Sequence, residues 1–186
     1  PAHGVNAIEG MRKVMNAIAE FRDELSQKIS PDDFPVRHAT LNLGVIRAGD
    51  SPNRIPAACE LQVDLRFLPG MDIEQLRSDL RARATDALAD SDCKIDYDEL
   101  FVGTPAMDTQ ADAEIVRVCE KLSGHKATAV DFGTEGAFYN RMGMETVILG
   151  PGDIALAHQP NEYLAIERIE PMRAILRGLI QHFCIA

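Results

Sequence analysis

Apolar residues recur at three- and four-residue steps from Ile8 through Met11, Met15, Ile18, Phe21 and Leu25 to Ile29. That spacing predicts one face of a long amphipathic helix. Asn6 with Glu9 has the form of a capping box at its start, and Ser30-Pro31 ends it. The period then changes to two. Leu41, Leu43 and Val45 alternate with polar or small residues between about Thr40 and Ala48. After the turn signal Gly49-Asp50-Ser51-Pro52-Asn53, the residues Cys59, Leu61, Val63, Leu65 and Phe67 alternate with Glu60, Gln62, Asp64 and Arg66. Alternation this regular predicts strands with one face on a core and one face wet. Pro69-Gly70 breaks the second strand, Asp72 with Gln75 caps a second helix, and Ile73, Leu76, Leu80, Ala84 and Leu88 form its stripe. Cys93, Ile95 and Tyr97 predict a third strand. Helix, two strands, helix, strand is an α+β pattern, a ferredoxin-like split βαβ unit lacking its first strand. The expected place of that strand is just before Pro1, and a sheet without it invites pairing with another chain.

The first block, residues 1–101, gives way to a second, residues 102–186, with a different rhythm. Ile115, Val118, Cys119 and Leu122 mark a helix ending at Gly124. Ala127–Val130 and Thr146–Leu149 read as short buried strands, the first leading into Gly133-Thr134-Glu135-Gly136 and the second into Gly150-Pro151-Gly152. Ile169, Met172, Leu176, Leu179 and Phe183 line a last helix. Helices alternating with short apolar strands predict part of an α/β layer. Two strands make a poor sheet, so this block is expected to pack against further material.

Composition narrows the function classes. A net charge of -10 over 186 residues argues against a nucleic-acid or anionic-membrane partner. The cysteines, Cys59, Cys93, Cys119 and Cys184, form no CxxC pair and read as reduced thiols of a cytoplasmic protein. No apolar run is long enough to span a membrane as a helix. The chain opens on Pro1 rather than Met, as a processed or excised piece would.

Candidate chemistry gathers in three places. His158 sits in Gly150-Pro151-Gly152-Asp153-Ile154-Ala155-Leu156-Ala157-His158-Gln159-Pro160-Asn161-Glu162-Tyr163, a loop after an expected strand. Spacing alone balances a metal or substrate ligand against a loop histidine bonded to backbone; the strand-end position tips it toward a ligand. His3, His38, His125 and His182 make no paired motif and read as solvated or capping residues. Thr134 would cap the helix after it, turning the amides of Glu135 and Gly136 toward an anion, or serve as an ordinary cap. Asn53-Arg54 lies at the tip between two strands, where an arginine either grips a carboxylate or is merely exposed.

Taken together, Thr40-Leu41-Asn42-Leu43-Gly44, Asn53-Arg54-Ile55-Pro56, Glu60–Arg66 and Pro69-Gly70-Met71 resemble the lid, or dimerisation, domain of the acetylornithine deacetylase branch of the aminoacylase-type metallopeptidases. Gly4–Glu9 is similar to the start of that domain's first helix. Thr134-Glu135, Leu149–Gly152 and Ala157–Tyr163 resemble the closing part of the catalytic domain. The resemblance implies an enzyme that hydrolyses the acetyl amide of N2-acetyl-L-ornithine with two zinc or cobalt ions, working as a homodimer through the lid. It implies His158 as a metal ligand, Asn53 and Arg54 as lid residues meeting the substrate, and Thr134, Glu135, Gly150 and Gly152 as pocket lining. It also implies that the catalytic Glu, most metal ligands and the lid His lie outside this sequence, and His3 is not that lid His. This chain alone is therefore expected to be inactive. Gly136-Ala137 stands where the branch has Ala-Pro. The alternatives are a desuccinylase or general aminoacylase of the same family, and a non-enzymatic dimerisation module.

Overall fold

The computed structural model describes residues 4–29 and 34–185, and the chain divides into two compact units, Pro1–Gly103 and Thr104–Ala186.

In the first unit, helix α1 spans Ala7–Gln27, with Asn6 Oδ1 accepting from the amides of Ile8 and Glu9 at 3.0 and 3.3 Å. The cap is one-sided, because the Glu9 carboxylate accepts from Arg12 Nε at 3.1 Å instead of reaching back to Asn6. The buried stripe is Gly10, Val14, Ile18, Phe21 and Leu25. Ile18, Phe21 and Leu25 lie where the periodicity puts them. Ile8 and Ile29 are exposed, and Gly10 and Val14 hold the inner positions at that end. The expected stop at Ser30-Pro31 lies outside the described residues.

Strand β1, Thr40–Ala48, pairs antiparallel with β2, Cys59–Arg66. A bulge between Leu43 and Val45 inserts Gly44, and an inserted residue shifts the phase of alternation. Leu41, Leu43, Ile46 and Ala48 therefore stand opposite Leu65, Val63, Leu61 and Cys59. Val45, expected on the apolar face, stands opposite Gln62.

Helix α2, Ile73–Asp86, is capped by Asp72, whose carboxylate accepts from Glu74 and Gln75 amides at 2.9 and 3.1 Å. The core joins Val14, Ile18, Phe21 and Leu25 of α1 to Ala39, Leu41, Ala84 and Leu88, with Leu43, Leu61, Val63 and Leu65 against it. Arg83 clamps the two helices: it donates to both Glu24 carboxylate oxygens at 2.8 and 2.6 Å while its guanidinium lies 4.7 Å from the Phe21 ring centroid.

The segment Cys93–Tyr97, expected as a third strand, forms no ladder among the described residues. Its side chains still behave as a strand's would: Cys93 and Ile95 pack on the core. The Tyr97 hydroxyl donates to the Arg81 carbonyl at 2.8 Å. Burial is decided by side chains, whereas a ladder needs a neighbour's amides and carbonyls.

In the second unit, α3 spans Glu114–Ser123 and ends on Gly124 in the left-handed conformation (φ 74°). A short α4 spans Gly136–Arg141, and 3-10 turns at Ile154–Leu156 and Ile166–Arg168 precede α5, Ile169–Cys184. The last helix covers only part of its expected face: Met172 is buried and Leu179 half-buried, while Ile169, Leu176 and Phe183 are exposed. Leu122 of α3 packs so closely on Gly178 that a Cβ there would lie 2.9 Å from Leu122 Cδ2. His182 Nε2 lies 2.9 Å from Glu114 Oε1, joining the same two helices.

The expected strands at Ala127–Val130 and Thr146–Leu149 form no ladder among the described residues. A side chain replaces the missing neighbour at Thr146. The Thr109 hydroxyl donates to the Thr146 carbonyl at 2.6 Å, and accepts from the Thr146 amide and from Asn140 Nδ2 at 3.2 Å each. No helix is long and apolar enough to cross a membrane among the described residues. The four cysteines are free, and burial raises the thiol pKa of Cys59 and Cys119.

Candidate functional site

The hairpin turn of the first unit is internally satisfied. The Arg54 amide donates to the Ser51 carbonyl at 3.2 Å, Ser51 Oγ donates to Asn53 Oδ1, and the Arg54 guanidinium pairs with Asp50. The Ala7 amide donates to the Pro56 carbonyl at 3.0 Å, tying the far side of the turn to the start of α1. Asn53 and Arg54 are thus held at an exposed tip, with the arginine charge compensated by Asp50 four residues earlier. A substrate carboxylate at this tip would have to compete with Asp50 for the guanidinium.

Around Thr134 the amide of Gly136 is already taken, donating to Thr134 Oγ1 at 3.1 Å, and the amide of Ala137 donates to the Thr134 carbonyl at 3.3 Å. Of the two readings of Thr134, the bond is that of an ordinary cap: the threonine itself uses the Gly136 amide. Glu135 follows in helical conformation, with no side-chain cap bond. Gly136 is buried, and a Cβ there would come within 2.8 Å of Ile148 Cδ1 and 3.3 Å of Thr146 Cγ2. The Gly-Ala pair lets the Thr146–Leu149 segment lie close on α4.

His158 has φ 61°, the one positive φ outside glycine among the described residues. A non-glycine residue in the left-handed region is sterically costly and is held there by its surroundings. The turn Leu156–Gln159 contains it and supplies that hold, the Gln159 amide donating to the Leu156 carbonyl at 3.2 Å, with further turns before it (Ala157 N to the Ile154 carbonyl, 3.1 Å) and after it (Glu162 N to the Gln159 carbonyl, 3.0 Å). The His158 amide itself donates to Glu162 Oε2 at 3.1 Å, and the imidazole side is exposed.

Beside this loop lies a hollow of about 350 Å³ walled by Pro151, Gly152, Asp153, Glu162 and Tyr163 among others. Gly152 is thereby brought against Glu162 and Tyr163. Gly150, Thr134, Glu135 and His158 do not line it. Glu162 and Tyr163 are the residues that sequence reasoning left out; the available signal was a carboxylate four residues after a histidine, across a proline.

No three or more of His, Cys, Asp and Glu come together to hold a metal ion among the described residues. His158 is a lone donor here, short of the roughly three protein ligands that a catalytic zinc takes. The described residues do not by themselves fit a dinuclear centre.

Residues 1–92 match the family described as the peptidase dimerisation domain, of the M20 type. The first unit has the dimerisation-domain fold. Two solved structures extend the likeness over nearly the whole chain. A tripeptidase from Staphylococcus aureus subsp. aureus Mu50 is 19% identical, with a TM-score of 0.64 over 98% of this chain and 46% of that one. An M20 family metallo-carboxypeptidase from Sulfolobus solfataricus is 15% identical, with a TM-score of 0.56 over 93% of this chain and 44% of that one. The chain spans less than half the length of either. At such identities the likeness establishes the fold. Within the dimerisation domain, the helices α1 and α2 and the β1–β2 hairpin set the positions of Asn53 and Arg54.

Proposed function

We propose that this chain forms the dimerisation domain and part of the catalytic domain of a metal-dependent amidohydrolase that converts N2-acetyl-L-ornithine to L-ornithine and acetate. The observation that carries the reading is His158, held in a costly backbone conformation in a chain whose first 92 residues match a peptidase dimerisation domain. In this reading His158 ligates one of two zinc or cobalt ions, whose remaining ligands lie outside the described residues. Thr134, Glu135, Gly150 and Gly152 are read as pocket-lining residues of the complete enzyme, and Asn53 and Arg54 as residues of the dimerisation domain that meet a substrate. Arg54 would exchange Asp50 for a substrate carboxylate, a like-for-like swap of ion-pair partners. The working form is a cytoplasmic homodimer, with neither nucleic acid nor membrane as partner.

Because the described residues bring no metal cluster together, the 186-residue chain by itself is expected to leave N2-acetyl-L-ornithine intact. Turnover by the purified chain without added polypeptide overturns that expectation. Comparing N2-acetyl-L-ornithine, N-acetylmethionine and succinyl-diaminopimelate with the protein as its gene encodes it separates the deacetylase from an aminoacylase or a desuccinylase. The same absence of a cluster favours a second reading, a non-enzymatic dimerisation module. A dimer that turns over none of the three amides, with zinc or cobalt supplied, would select it.

A further inference from the structure

We infer that Glu162 is a positioning residue: its carboxylate captures the His158 backbone amide and thereby fixes the direction in which the imidazole leaves the loop. The inference rests on the reading of His158 as a functional donor and adds the residue that aims it. Left-handed backbone costs a non-glycine residue, histidine less than most. His158 is the third residue of the turn Leu156–Gln159, closed by the Gln159 amide on the Leu156 carbonyl at 3.2 Å with Ala157 at φ -59° and ψ 135°, a turn that asks for positive φ at that place, and the Glu162 carboxylate adds a bond to the His158 amide itself. An ionised acceptor on an amide makes a stronger bond than a neutral one. Between them, Pro160 has no amide to offer and disfavours helical backbone at Gln159, so the loop cannot simply wind on as helix. Glycine at 158 would adopt this backbone freely, yet a histidine stands there with a carboxylate bound to its amide. Glu162 also walls the hollow beside Gly152 and Tyr163, so the group that holds the histidine belongs to the pocket wall.

The experiment is amide hydrogen exchange of the stretch 153–163, on the protein as its gene encodes it, for wild type, Glu162→Ala, Glu162→Gln and His158→Gly. Glu162→Ala is expected to speed exchange at residue 158 roughly three- to tenfold, the factor that losing one such bond corresponds to. Glu162→Gln, whose amide oxygen accepts the same bond, should return most of the protection, and His158→Gly should keep it. Unchanged exchange in Glu162→Ala, or no rescue by Gln, overturns the inference. A cobalt(II) absorption spectrum separates the two layers. If His158→Ala leaves the spectrum as in wild type, the ligand reading fails, and with it the purpose assigned to Glu162. If His158→Ala alters the spectrum while Glu162→Ala changes neither exchange nor spectrum, only the positioning role fails.

Discussion

Replacing Gly10 by Ala tests whether the Cys93–Tyr97 segment, which has no ladder, is nonetheless clamped on α1. Alanine in a helix interior is better than glycine by about 0.5–1 kcal/mol, so at an open position the substitution stabilises. At Gly10 the new Cβ would lie 2.6 Å from Cys93 Sγ and 3.2 Å from Cys93 Cβ. Rotating the thiol to clear the first contact gives up its bond to the Asn6 carbonyl at 3.7 Å, and the second contact stays, because the Cys93 Cβ is fixed to its backbone. Overpacking of this kind costs about 1–3 kcal/mol, which outweighs the helix gain. The expected net loss is about 1–2 kcal/mol, a Tm drop of about 4–16 °C for a domain of this size. Urea denaturation of wild type, Gly10→Ala, Cys93→Ala and the double variant closes a cycle. The coupling should be favourable by about 1 kcal/mol, within the range for residues in contact, since removing Sγ relieves the larger clash. A stabilised Gly10→Ala, or additive single effects, refutes the packing.

Three further outcomes follow from the same geometry. The Arg83 hydrogen bond holds the Glu24 carboxyl below the usual carboxylate range, outweighing the opposing effect of burial, and the charges of Arg83 and Lys28 add a lesser pull. A lowered folded-state pKa gives stability present above the unfolded-state pKa and lost as pH falls through the folded one; Glu24→Gln should therefore lower Tm at neutral pH and match wild type once both states are protonated. Thr109→Val keeps the volume but strips the hydroxyl that serves both backbone groups of Thr146; it should cost about 1–3 kcal/mol in urea denaturation and deprotect the Thr146 amide to hydrogen exchange. Sedimentation should find the chain at about twice its 20.4 kDa mass, and a monomer at micromolar concentration contradicts the proposed homodimer.

What could be read from residues alone was whatever is settled locally. Asn6 and Asp72 cap their helices with their own side chains, and Cys59–Leu65 alternates because one neighbouring strand and one helix layer suffice. Phase errors came from single residues whose effect is geometric: Gly44 forms a bulge and sets Val45 opposite Gln62. In α1, Val14 takes the inward place that the count gave to Met15, while Met11 packs on the core as expected. Cys93–Tyr97, Ala127–Val130 and Thr146–Leu149 carry strand-like residues, but a ladder depends on a distant neighbour that local pattern does not specify. The glycine-bounded loop that carries His158 was legible as a loop. The left-handed backbone of His158 and its amide bond to Glu162 were not, because they arise from the Leu156–Gln159 turn and from a side chain brought back past Pro160.

The most direct measurement is hydrolysis of N2-acetyl-L-ornithine by the protein as its gene encodes it, wild type against His158→Ala, with bound zinc and cobalt determined in both. A metal-ligand role predicts metal in the wild type, and in the variant at least a hundredfold loss of kcat/KM with reduced metal content. A variant that keeps both its metal and its turnover contradicts the account.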